Sequence, residues 1–238
     1  MRFSSLPKIV VMTGGAVSRA SGFAPFDAAT MPAGLRLEDV LTPDGFARDP
    51  ARVRAFYNLR RRELLAAQPN PAHEALAVLD AVRQREVLIV TRNIDDFHER
   101  AGSQTVIHTH GELLKARCMI CTRITERYDD IVEATACPDC GNSGHLRPHV
   151  VWVGEEPLRM ATVYEALTHA TLLLVAGLPA HAEPIRGIIA DARRAGASVV
   201  GFLAESGDDH AQDTGFDERQ LGPIAETMPA FVKKLIGG

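Results

Sequence analysis

Four short runs of the chain are apolar at almost every position: residues 10–12, 87–91, 171–176 and 198–203. Continuous apolar runs of this length predict parallel strands covered on both faces, since a strand with one wet face would alternate. Between them the spacing changes to a helical one. Residues 72–83 carry Leu76, Leu79, Ala81 and Val82, and residues 158–170 and 185–195 are similar. Residues 231–236 predict a last short helix. Strands alternating with helices predict an α/β fold with a Rossmann-like, doubly wound parallel sheet.

Two stretches break the alternation. Residues 24–71 are rich in Pro, Gly and Ala and then become an Arg-rich helix, and residues 112–148 hold the cysteines. Both read as excursions from the sheet that join in a smaller domain. The expected division gives residues 1–24, 72–111 and 149–238 to the large domain, and 25–71 and 112–148 to the small one. The charged stretch 205–213 reads as a solvated loop.

Composition narrows the class. The 238 residues are 46% hydrophobic and 24% charged, enough for a packed core and too apolar for general disorder. The net charge of −4 disfavours a strongly basic nucleic-acid binder. No apolar run approaches the roughly 18 residues of a membrane span. The N-terminal apolar run is too short for a signal-peptide core, so a cytoplasmic protein is expected, with neither nucleic acid nor membrane as partner.

The four cysteines form two pairs, Cys118/Cys121 and Cys137/Cys140, with fifteen residues between the pairs. Each CxxC can make a knuckle that points two thiolates at one ion, and this spacing is that of a tetrathiolate zinc ribbon. Disulfides or a redox CxxC fit poorly in a cytoplasmic chain with no spare cysteine. Four thiolates leave no coordination position for a substrate, so the expected zinc is structural.

Three polar groups are candidates for chemistry. Asn93 and Asp95 follow a predicted strand, where ligands of open α/β sheets bind; a polar loop with an Asp helix cap is the alternative. His108 and His110 alternate, so at most one faces a given cleft, as a general base or as an ordinary buried or exposed histidine. Tyr57 and Arg60 lie three apart, on one face of a helix. Together they can hold a carboxylate, or they belong to a solvated basic face.

Over residues 8–236 the chain resembles the sirtuins, and among them the short bacterial class III type. Ser18 and Ser21-Gly22 stand in the family's cofactor-binding stretch. Pro69-Asn70-Pro71-Ala72-His73 with Ala75-Leu76, Asn93-Ile94-Asp95 with His98 and Ala101-Gly102-Ser103, and His110-Gly111 resemble further family motifs. So do Leu146-Arg147-Pro148 and residues 150–155, and both cysteine knuckles fall where the family has them.

The resemblance implies NAD-dependent removal of acyl groups from lysines of a protein or peptide. It implies His110 as the base, with Asn93 and Asp95 at the nicotinamide-ribose end. Gly14, Gly15, Ala16 and Ser18 would cradle the phosphates, with Gly22, Phe26, Arg92 and Gly177 also at the cofactor. Val151 and Val153 would meet the substrate, and residues 151–155 would be a strand edge onto which a peptide adds. Tyr57 and Arg60 would favour succinyl or malonyl groups, with acetyl accepted.

The departures from the family gather at the cofactor. Asp27 stands for an arginine, Arg92 for a glutamine, Leu178-Pro179 for Thr-Ser, Leu203 for an asparagine and Val153 for a phenylalanine. An Asp27–Arg92 ion pair would explain two of these together. They also leave two alternatives: a catalytically weak nucleotide- or partner-binding protein, and another NAD-consuming reaction such as NAD hydrolysis or ADP-ribosyl transfer.

Overall fold

The computed structural model describes residues 7–24, 31, 34–84, 86–181, 183–203 and 215–237. Phe26, Asp27 and the charged stretch 205–213 lie outside them. The elements run β1 (Ile9–Thr13), α1 (Gly15–Arg19), α2 (Leu37–Val40), α3 (Pro43–Arg48), α4 (Pro50–Ala66), α5 (Pro71–Arg83), β2 (Val87–Thr91), α6 (Phe97–Ala101) and β3 (Val106–His108). There follow β4 (Gly111–Cys118), β5 (Ile124–Glu126), β6 (Leu146–Val150), α7 (Met160–Leu167), β7 (Leu172–Ala176), α8 (Ile185–Arg194), β8 (Ser198–Leu203), β9 (Glu218–Leu221) and α9 (Ile224–Gly237).

Six parallel strands form one sheet in the order β3-β2-β1-β7-β8-β9. The chain builds outward from β1 to β3, then returns to β1's other side and builds outward again. The strand order therefore reverses at β1, and the crevice at its C-terminal end is where such sheets bind ligands. Alternate residues of the strands feed two cores. Val10, Met12, Leu88, Val90, Leu173 and Val175 pack with α7 and α8 on one face. Val11, Ile89, Leu174 and Phe202 pack with α5 and α9 on the other.

The structure adds to the sequence-based elements. β3 and β9 extend the sheet at its edges; β9 is polar and mostly exposed, so it carries no apolar run. The last helix begins at Ile224, well before residue 231. Pro229 falls inside it, which removes one backbone hydrogen bond, and the packing of Met228 and Val232 on the sheet carries the helix across that gap.

After β3 the chain enters a second sheet, antiparallel and three-stranded, in the order β5-β4-β6. Helices α2 to α4 pack beside it. Three helices, α3 and α4 here and α5 on the large sheet, open with a polar cap followed by proline: Thr42-Pro43, Asp49-Pro50 and Asn70-Pro71, each cap side chain accepting a first-turn N–H. The face of helix α4 that carries Arg54 and Arg61 is not solvated. Arg61 is fully buried and donates to the Asn58 side chain (2.7 Å) and the Leu113 carbonyl (3.3 Å). Arg54 donates to the carbonyls of Leu146 and Gly144, and Asn58 exchanges two bonds with the Ile131 backbone. Among the described residues no helix is long and apolar enough to cross a membrane.

Candidate active site and metal centre

Where the ends of β1, β2 and β7 meet residues 150–155, they enclose a cavity of 570 Å³. The first wall is the turn into α1. Gly14 and Gly15 line it, and a Cβ on Gly14 would collide with Leu178 and the Gly177 carbonyl, so only glycine lets the two loops close up. Ser18, Gly177, Leu178 and Pro179 also line the cavity. Ala16 does not: a Cβ added at Gly177 would come within 3.0 Å of the Ala16 methyl, so that methyl faces the Gly177 loop. Gly22 has φ +79° in the turn that ends α1, away from the cavity lining.

The second wall follows β2. Asn93 donates from its amide nitrogen to the Gly14 carbonyl (3.1 Å) and to Ser18 Oγ (2.7 Å). Ser18 in turn donates to Asp95 Oδ2 at 2.7 Å. Asp95 lines the cavity and also accepts the N–H of Phe97, the first residue of α6 (3.4 Å), while the N-cap position itself is Asp96, whose side chain makes no cap bond. Burial raises the Asp95 carboxyl to about 6, against the lowering effect of the Ser18 bond. Asn93 is held from behind by His108, whose Nδ1 lies 3.2 Å from the Asn93 carbonyl and whose Nε2 lies 2.7 Å from Glu99. Burial works against charge on His108, but the bond to Glu99, the charges of Glu99 and Glu112 and the Asn93 carbonyl together outweigh it, and the histidine titrates above its ordinary range.

His110 lines the cavity, and His108 does not. Thr109 donates its hydroxyl proton to the Thr91 carbonyl (3.1 Å), so the same oxygen accepts from His110 Nδ1 at 2.9 Å. That fixes the proton on Nδ1 and leaves Nε2 with its lone pair. Burial first, and the Arg92 charge second, push His110 down to about 4, so the ring is neutral at pH 7.

Residues 151–155 form the third wall, and here the expected strand edge is corrected. The strand stops at Val150, and the chain turns, with Gly154 at φ +90°. The cause is Arg147, which stacks on Trp152 and holds Glu155 with two bonds of 2.7 and 2.9 Å. Glu155 then accepts the Trp152 N–H at 2.8 Å, which curls the segment. Val151 and Val153 line the cavity and are anchored by N–H bonds to the carbonyls of His110 (2.8 Å) and Leu41 (2.9 Å).

Tyr57 and Arg60 are not on that lining. Tyr57 is fully buried behind Trp152, whose indole N–H donates to its hydroxyl at 2.9 Å, and burial drives its acidity far down. Arg60 lies over the Phe23 ring and donates to Glu63 and to the Ala24 carbonyl. Phe23, Ala24 and Trp152 are themselves cavity residues, so the pair sits one layer back. The expected Asp27 partner of Arg92 lies outside the described residues.

Composition and spacing left Trp152, Thr109, Leu41 and the Arg147–Glu155 clamp unassigned. Arg147 and Glu155 do fall in motif stretches; their pairing depends on the turn between them.

Away from the cavity, Cys118, Cys121, Cys137 and Cys140 bring their sulfurs within 4.8 Å of one another. Cys118–Cys140 and Cys121–Cys137 are separated by 3.8 and 3.7 Å. A tetrahedral ion with Zn–S bonds of about 2.3 Å needs edges of about 3.8 Å, so the four thiols are positioned to bind a structural zinc. Gly141 takes φ +74° after the second knuckle. The Ile120 N–H and the Asn142 amide point at Cys118 and Cys140, both at 3.4 Å, as outer-shell donors.

The chain matches the Sir2 family over residues 14–184. It is 42% identical over 240 residues to a Vibrio cholerae serotype O1 protein named NAD-dependent protein deacylase, covering 98% of this chain and 95% of that one. An Escherichia coli K12 protein of the same name is 42% identical over 238 residues, covering 98% and 83%. Among solved structures, a Sir2 homolog–NAD complex superposes with a TM-score of 0.83 at 31% identity, covering 96% of this chain and 90% of that one. A Sir2–p53 peptide–NAD+ complex shares the fold, with a TM-score of 0.75 at 24% identity over 96% and 92% of the two chains.

Proposed function

The chain belongs to the Sir2 family, and on that premise we propose that it removes acyl groups from protein lysines at the expense of NAD, giving nicotinamide and an O-acyl-ADP-ribose. The observation that carries this reading is His110: a neutral ring in the cavity, with Nδ1 held by Thr109 and Nε2 free to take a proton. The donor set fits a dinucleotide. A glycine turn, Ser18, Asn93 and Asp95 meet in one hydrogen-bonded cluster at the point where the strand order reverses. NAD, when bound, supplies the ribose carbon that receives the acyl oxygen and the nicotinamide that leaves.

The chain's own residues do the rest. His110 Nε2 takes a ribose hydroxyl proton. Asn93 and Asp95 hold the nicotinamide-ribose end, and His108 and Glu99 keep that loop in place. The Val151 carbonyl accepts the acyl-lysine N–H. Phe23, Ile94 and Trp152 line the cavity with apolar surface that excludes water. The substrate is an acylated protein or peptide, and the cavity lies between a sheet domain and a smaller domain of α2 to α4 and the cysteine module.

The proposed acyl preference is succinyl or malonyl over acetyl. It rests on the Tyr57 hydroxyl and the Arg60 guanidinium standing directly behind Trp152, Phe23 and Ala24. An acidic chain would reach Arg60 by displacing the Ala24 carbonyl. Arg60→Ala is therefore expected to lower succinyl turnover while sparing acetyl turnover.

One observation favours a second reading, a nucleotide-binding protein with little turnover. Leu178 packs on Gly14, and neither it nor Pro179 offers a side-chain donor. Mass spectrometry of acetyl- and succinyl-lysine peptides, with and without NAD and beside His110→Ala, separates the two. NAD-dependent deacylation lost in the variant supports the deacylase. Intact peptide and intact NAD with the wild type would support the second reading.

A further inference from the structure

Among the described residues that line the cavity, one charged group has no partner, and it lies beside the glycine turn. Thr13 and Thr91 are neighbours in the sheet, and the Arg92 N–H donates to the Thr13 carbonyl at 3.0 Å. Arg92 thus leaves β2 alongside Thr13-Gly14-Gly15 and lines the cavity. Among the described residues its guanidinium makes no hydrogen bond or ion pair, although burial disfavours its charge. The cavity's carboxylates are committed elsewhere, Asp95 to Ser18 and Glu155 to Arg147.

The side chains near the turn have little left to give an anion. Ser18 donates to Asp95 and accepts from Asn93. Leu178 is apolar, and Pro179 lacks even a backbone N–H. A half-buried cation in such a place is stabilised by an anion that arrives with the ligand, and a planar guanidinium suits two oxygens of a phosphate.

We propose that Arg92 holds the diphosphate of the dinucleotide, supplying the charge that the Leu178-Pro179 loop does not. This rests on the nucleotide-binding reading above. The acyl carboxylate is the competing anion in the same cavity, and Arg92's attachment to the Thr13 turn favours the diphosphate.

The test is titration calorimetry on the full chain with ADP-ribose, adenosine and a succinyl-lysine peptide, using wild type, Arg92→Gln and Arg92→Lys. Equal melting temperatures establish that the variants fold. Arg92→Gln is expected to weaken ADP-ribose binding by about tenfold or more, the size of one charge-assisted contact. Arg92→Lys should fall between, and adenosine should bind all three alike. Equal ADP-ribose affinity in wild type and Arg92→Gln overturns the assignment alone. So does an Arg92→Gln variant that loses the succinyl peptide but keeps ADP-ribose. A folded wild type that takes up neither ADP-ribose nor NAD removes the nucleotide reading itself, and this assignment with it.

Discussion

The six-stranded sheet and the cysteine end of the three-stranded sheet are held by different chemistry. The first is sealed by apolar side chains on both faces, with Val10, Val11, Leu88, Ile89, Leu173 and Leu174 essentially inaccessible. The second packs Leu113, Leu114 and Val150 against Val53, Phe56, Tyr57 and Leu64 of α4, but its cysteine end has only a small apolar cluster: Ala116, Ile131, Leu146 and the sulfurs themselves. The cohesion of that end comes from Arg54, Asn58 and Arg61, which reach from α4 to carbonyls and an N–H of the cysteine module, and from the four thiols. Apolar burial is non-directional and tolerant, whereas buried polar contacts and metal ligands fail as units.

The largest expected effect follows from the thiols. Structural zinc sites contribute on the order of 10–16 kcal/mol in apparent folding free energy, far more than a cluster this small can supply. Chelation, or Cys137→Ser, is expected to abolish hydrogen-exchange protection in β4 to β6 while β1, β2 and β7 stay protected. Simultaneous loss in both sheets would break the comparison.

Next comes α4. Arg61→Ala deprives the Leu113 carbonyl of its donor and leaves a buried void, for about 2–4 kcal/mol by urea unfolding. Leu88→Ala, in the other core, is expected to cost a similar amount by cavity formation alone. A neutral Arg61→Ala would mean that α4 is not the clamp.

Acid should strike the large sheet's side instead. His73 on α5 and His98 on α6 face each other in burial, and His98 is 3.0 Å from Thr13 of β1. Burial pushes His73 down to about 4 and His98 well below its usual value. The unfolded chain takes up these protons below about pH 6.5, and the folded chain resists. Stability is therefore lost as pH falls from about 6.5 to 4, by about 3 kcal/mol for His73. His73→Gln should flatten the melting-temperature profile in that window; an unchanged slope would contradict the assignment. The smallest effect belongs to the exposed Arg62–Asp130 pair between α4 and the cysteine module. Asp130→Ala should change stability by less than about 1 kcal/mol.

The same contrast explains what could be read in the chain. The four central strands and the helices between them follow from apolar runs and spacing, because burial leaves its record in residue type. The cysteine spacing predicts a metal site, which the sulfur positions match. Arg54, Asn58 and Arg61 read as a polar helix face, since nothing local says that carbonyls await them. The strand edge at residues 151–155 follows from the family resemblance alone, and the Arg147–Glu155 pair makes them turn instead. The polar-cap-proline pairs at Thr42, Asp49 and Asn70 were signals that could have placed three helix starts. At the cavity, motif residues His110, Asn93 and Asp95 do converge. Tyr57 and Arg60 share a helix face, as their spacing requires, but that face lies one layer behind the lining.

The central claim is that His110 serves a deacylation and not another use of NAD. The direct measurement is the stoichiometry of products from a succinyl-lysine peptide, NAD and the protein, followed by mass spectrometry. The account predicts nicotinamide, free lysine peptide and O-succinyl-ADP-ribose in equal amounts, and none of them with His110→Ala. Nicotinamide released while the peptide keeps its acyl group would contradict it.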